Sequence, residues 1–141
     1  MRIVQDTNVL VAALRSGAGA SRSILESCLR RSHQPLMAQA LWLEYHDVLG
    51  RADLWKDCAL TARERAELLD DLTAVCIWVQ IWFLWRPNLP DDGDNHVAEL
   101  AIAGNAAALV TFNLKDFLPA KFAAAGMKIL TPAQFVQHYP L

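Results

Sequence analysis

The sequence lacks any apolar run of the ~18–20 residues needed to cross a bilayer. Its longest apolar-dense stretch, Val75 to Trp85, is too short and contains Gln80. One Arg and then an acid at position 6 do not make a signal peptide. A soluble, cytoplasmic protein is expected, with no membrane partner. Cysteine is scarce and odd in number: Cys28, Cys58 and Cys76 stand far apart. There is no Cys-x-x-Cys and no zinc-type Cys/His spacing, so the thiols are read as reduced, with Cys76 as buried filler. Positive charge is also lacking. The formal net charge is −2, which argues against a non-specific duplex-DNA coat. Basic pairs do occur, at Arg30-Arg31 and at Arg63 with Arg65. Repeats and low-complexity segments are absent.

What is present is a globular composition. Hydrophobic residues make up 54% and charged residues 20% of 141 positions, enough for one domain, residues 1–141, with a real core. Short apolar runs alternate with helical patterns. Strands are expected at residues 2–5, 36–38, 80–85, 107–111 and 128–130. Helices are expected at about 8–15, 21–32 (capped by Ser21), 40–49, 62–78, 95–104 and 119–125, with a last one opened by Pro132 at N1. Thr61 with Glu64 forms a capping box, and Gly104 closes its helix. This alternation means a central parallel sheet of four to five strands in a three-layer α/β/α arrangement.

Four acids hold special places in that pattern. Asp6 follows the first strand, at the sheet edge where α/β proteins bind ligands. Glu44 shares a helical stripe with Leu41, Tyr45 and Val48, a face otherwise suited to the core. Asp94 opens the helix after the third strand, and Asp116 lies just past the fourth. Right-handed crossovers bring such strand ends to one edge. Taken singly, each acid reads as a cap or turn residue: Asp6 and Asp94 as N-caps, Asp116 as a turn acid, Glu44 as a rim ion pair. Taken together they form a set whose mutual repulsion a divalent cation would relieve. Oxygen donors without clustered His or Cys favour Mg²⁺ or Mn²⁺, and such a site can activate water against a phosphodiester.

The motifs Val4-Gln5-Asp6-Thr7-Asn8-Val9-Leu10, Leu43-Glu44-Tyr45, Asp94 through Ala101 and Val110 through Phe117 resemble the PIN domain. More narrowly, they are similar to the PIN-type toxins of bacterial toxin–antitoxin pairs, the VapC-like group. The resemblance spans essentially the whole chain. It implies a PIN-like fold and a Mg²⁺- or Mn²⁺-dependent endoribonuclease, with RNA as substrate and a small antitoxin as partner. It gives the acidic-site roles to Asp6, Glu44, Asp94 and Asp116, and supporting polar roles to Asn8, Thr111 and Asn113. Asn113 departs from the family pattern, in which an acid is frequent there. Either Asp116 alone supplies the fourth carboxylate, or the second metal site is a weaker one.

Other residues are read more plainly. Asp92 shapes an Asp-Gly turn beside Asp91. Glu99 lies about 140° round the helix from Asp94 and faces elsewhere. His96 is a helix-surface residue or a substrate contact; His33, His46 and His138 are incidental. Trp78, Trp82 and Trp85 suit the core or a homodimer interface, with base stacking as the alternative. Trp42 and Trp55 offer a surface on which an antitoxin helix would dock. Two other functions compete with the nuclease: a PIN-like binding module of weak catalysis, and a phospho-receiver-like signalling domain. The receiver reading suffers because Gln39, not Asp, follows residues 36–38.

Overall fold

The structure is a computed structural model that describes residues 1–81, 92–117 and 126–141, with side chains in the 92–103 helix described from residue 96. The chain runs β1 (Arg2–Gln5), α1 (Thr7–Arg15), α2 (Ala20–Leu29), β2 (Gln34–Met37), α3 (Gln39–Leu49), α4 (Ala62–Val75), β3 (Ile77–Trp78), α5 (Asp92–Ala103), β4 (Ala108–Val110), β5 (Lys128–Leu130) and α6 (Pro132–His138). Short 3-10 turns occupy Ala52–Trp55 and Leu114–Phe117. Among the described residues no helix is long and apolar enough to cross a membrane.

The five strands form one parallel sheet in the order β3-β2-β1-β4-β5. Ile3, Val4, Ala108, Leu109 and Val110 are fully buried, as expected of strands covered on both faces. The connection from β3 to β4 runs back across the sheet, so a right-handed crossover places α5 on the face opposite α1–α4. α5 covers β1, β2 and β4, while α2 packs against α1, α4 and α6. This is the expected three-layer α/β/α arrangement. The order reverses beside β1, so the crevice between the carboxyl ends of β1 and β4 is the switch point of the sheet.

Several local expectations are corrected. Ser21 does not cap α2: the N-cap is Gly19, at φ 109°, a conformation that favours glycine. α2 ends at Leu29, and Arg31 turns the chain with φ 64°. β2 begins at Gln34 and includes Pro35. The missing N–H is tolerated because β3 pairs only Leu36 and Met37. α4 stops at Val75, and the third strand is Ile77–Trp78 rather than 80–85. The β-branched and aromatic residues from Val75 onward favour extended backbone. Gln80 and Ile81 are not strand, and the rest of that expected strand lies outside the described residues, as does the expected helix at 119–125. α5 starts at Asp92, so Asp92 belongs to a helix and not to a turn. The left-handed residue after α5 is Asn105 (φ 54°), not Gly104. Gly104 answers to space: a Cβ there would lie 2.5 Å from Leu36 Cδ1 and 3.1 Å from Val79 Cγ2.

Candidate active site at the carboxyl edge of the sheet

Asp6 is positioned by the strand and the helix that meet at it. Its N–H continues the β1–β4 ladder to Val110 O at 2.9 Å. Its Oδ1 accepts the Thr7 N–H at 2.8 Å, capping α1, and its Oδ2 accepts the Thr111 hydroxyl at 2.8 Å. Thr111 is fully buried, and its Oγ1 also accepts the Asn113 N–H at 3.0 Å. One side chain thus ties the first acid to the loop after β4. Asn8 Oδ1 accepts the Phe112 N–H at 3.4 Å across the same crevice. Capping and site membership coexist at Asp6.

Glu44 arrives from α3. Its neighbour Tyr45 is buried and donates to Gln5 O at 2.5 Å. Gln5 and Tyr45 are each next in sequence to an acid, so their bond carries Glu44 towards Asp6. Thr7 completes the link: its hydroxyl donates to Glu44 Oε1, while its amide holds Asp6. His96, from α5, donates through Nε2 to Glu44 Oε2 at 2.6 Å. His96 is therefore a member of the site, not a helix-surface residue. A carboxylate partner suffices to place an imidazole, and a search for a His or Cys companion misses it. Thr7 carries a readable signal, since it sits between Asp6 and Asn8.

The two acids differ electrostatically. Burial pushes the Asp6 carboxyl above its ordinary 3.8, against the pull of its Thr111 and Thr7 hydrogen bonds, and the Glu44 charge adds to the rise. Glu44 also feels burial, but the His96 and Thr7 hydrogen bonds outweigh it and hold Glu44 below its ordinary 4.5. Burial and hydrogen bonding thus pull the two carboxyls apart, Asp6 upwards at a desolvation cost and Glu44 downwards.

A cleft of about 360 Å³ opens over this pair, walled by Asp6, Thr7, Asn8, Glu44, Arg51 and Asn113 among others. Arg51, exposed and 2.5 Å from Asp47, brings positive charge to its rim. Asp94 sits in the first turn of α5, two residues before His96, and its carboxylate lies outside the described side chains. Asp116 is half-buried on the 3-10 turn Leu114–Phe117 and is not among the described residues that wall the cleft. The fourth corner of the described cleft is the amide side chain Asn113. Among the described residues no three His, Cys, Asp or Glu side chains gather tightly enough to hold a metal. The donors that do line the cleft, carboxylate and amide oxygens around a desolvated acid, suit a hard divalent cation.

Beside His96 lies a larger cavity of about 860 Å³. Glu99 lines it and is buried. Its side chain thus faces into the protein. Trp78 stands at this cavity, 52% exposed, so it is not core. Trp82 and Trp85 lie outside the described residues. Trp55 is buried, donates to Val48 O at 3.0 Å and is covered by Arg65. It offers no docking surface. Trp42 stacks on His46, with ring centres 3.9 Å apart.

Residues 2–115 match the family model of the PIN domain. The fold matches a crystal structure of VapBC2 from Rickettsia felis bound to a DNA fragment from their promoter. The match has a TM-score of 0.62 and 17% identity, over 92% of this chain and 98% of that one. At that identity it speaks for the fold alone. No curated protein sequence gives a significant match.

Proposed function

The chain belongs to the PIN-domain family, whose members are generally nucleases, and from that premise we propose that residues 1–141 act as one Mg²⁺- or Mn²⁺-dependent endoribonuclease. The observation that carries this reading is the pairing of Asp6 and Glu44 through Thr7 at the switch point of the sheet. In this proposal Asp6, Glu44 and Asp94 hold the cation, and Asp116 supplies the fourth carboxylate from the turn after β4. The bound cation would relieve carboxylate repulsion, polarise a phosphodiester oxygen and ease deprotonation of water.

The remaining chemistry belongs to the chain's own groups. Thr111 and the Thr7 amide hold both Asp6 oxygens in place. His96 and the Thr7 hydroxyl keep Glu44 anionic and oriented. Asn8 and Asn113 line the cleft with polar atoms, and Arg51 at the rim suits a phosphate. We further propose that the chain works in the cytoplasm as the toxin of a toxin–antitoxin pair, with a small antitoxin as partner and a homodimer as the working state.

The test is RNA cleavage with Mg²⁺ or Mn²⁺ by purified protein and by Asp6→Asn. The expected result is cleavage that chelator abolishes, and none from a folded Asp6→Asn protein. Undiminished cleavage in that variant would refute the site. One observation favours a second reading, the weakly catalytic binding module: Asn113, not an acid, occupies the cleft corner. In that case Mn²⁺ would shift neither melting temperature nor fluorescence. The family match leaves the phospho-receiver reading without support.

A further inference from the structure

Away from the termini, the described residues leave three large apolar side chains exposed: Leu43, Trp78 and Phe112. All three surround the site. Phe112 lies between Thr111 and Asn113, and its N–H is held by Asn8. Leu43 precedes Glu44, and with Trp78 it lines the cavity of about 860 Å³. That volume falls in the roughly 300–1,000 Å³ range of small-ligand sites. The cavity also carries polar side chains, Gln39, Gln80, His96 and Glu99. His96 is shared: it lines this cavity and donates to Glu44 at 2.6 Å. The cavity therefore begins one side chain away from the acidic cleft.

We infer that this cavity seats a base of single-stranded RNA, from a nucleotide adjacent to the phosphodiester held at Asp6 and Glu44. The inference rests on the nuclease reading and names a subsite for its substrate. A ribose is the only spacer between a base and its phosphate, which suits a cavity separated from the cleft by one imidazole. The half-exposed Trp78 indole gives a base a face to stack on. The Gln39 and Gln80 amides offer both donors and acceptors to a base edge. The lining combines an indole and aliphatic groups with amides, an imidazole and the Glu99 carboxylate, which gives a base both a stacking face and partners for its edge.

The experiment uses the full chain, with a fluorescently labelled single-stranded RNA oligonucleotide and Ca²⁺ in place of Mg²⁺, read by anisotropy. Base–aromatic stacking of ~1–3 kcal/mol corresponds to about a 5- to 150-fold loss of affinity in Trp78→Ala. Trp78→Phe should recover most of it, and Leu43→Glu should weaken binding through charge at the lip. Circular dichroism checks the fold, and Leu43→Glu, at an exposed position, carries the test should Trp78→Ala not fold. Wild-type affinity in Trp78→Ala, or in Leu43→Glu where the first does not fold, overturns the inference. So does a sedimentation result in which Trp78→Ala dissociates a dimer while RNA affinity stays unchanged. Asp6→Asn separates the two proposals. Retained cleavage there would sink the acidic site, whereas the Trp78 comparison reads binding alone.

Discussion

Replacing Thr111 by Val keeps the shape of the side chain and removes one hydroxyl. That hydroxyl donates to the Asp6 carboxylate at 2.8 Å and accepts the Asn113 N–H at 3.0 Å. A hydrogen bond to a charged group is worth about 1.5–3 kcal/mol net. Asp6 and Thr111 are buried, so water does not replace the lost donor. Asn113 is exposed and its amide finds water. The whole penalty therefore falls on the Asp6 bond. Thr111→Val should lower stability by about 1.5–3 kcal/mol, a fall in Tm of roughly 3–12 °C for a chain of this size. The assay is urea denaturation at pH 7 in chelator, with Thr111→Ser, which keeps the hydroxyl, as control. In an Asp6→Asn background only a neutral bond is lost, and the cost should shrink to about 0.5–1.5 kcal/mol.

The pH dependence has a definite sign. Burial raises the folded pKa of Asp6 above 3.8, so its linkage favours the fold at low pH and turns against it as pH rises through the raised pKa. The Thr111 bond opposes that rise. Thr111→Val should raise the pKa further, so its penalty is greatest at neutral pH and narrows as pH falls towards 3.8. The result that refutes this reasoning is a Thr111→Val cost at pH 7 that is the same with and without Asp6→Asn.

Two further outcomes test the fold around the site. Gly104→Ala should destabilise by about 1–3 kcal/mol through overpacking, because its Cβ would meet Leu36 and Val79 at 2.5 and 3.1 Å; a thermal melt at or above the wild-type Tm would contradict this. Cys28 is fully buried, and burial pushes its thiol up to about 12, so a thiol reagent at pH 8 should leave it unmodified in the native protein and label it in denaturant, whereas Cys76 is only partly buried.

The parts of the fold that can be read in advance are those whose signals are local. β1 and its acid, the Thr61–Glu64 capping box and Pro132 at N1 all stand where their residues put them. The departures have tertiary causes. Ile77–Trp78 continues the apolar pattern of α4, and pairing with Leu36 and Met37 decides for the strand that its β-branched and aromatic residues locally favour. Gly104 reads as a helix cap, yet contact with β2 determines it. At the site, Glu44 is legible as an acid on a core-facing stripe, and Tyr45, Leu41 and Val48 are buried around it. His96 is not legible, because its partner is 52 residues away on another helix.

The two acids of the cleft are maintained by opposite means, and this bears on the corner that Asn113 occupies. Glu44 is already compensated by an imidazole and a hydroxyl. Asp6 has two hydrogen bonds, and burial still outweighs them. Another carboxylate at position 113, in the same cleft, would add repulsion to the acid least able to absorb it. An amide there keeps oxygen donors in the cleft without that cost. In the proposed nuclease, Asp6 is then the group that gains most from a cation, since the cation offsets a charge the fold leaves under-compensated. Cation affinity should accordingly follow Asp6 far more closely than the half-buried Asp116, which stands outside the described cleft wall.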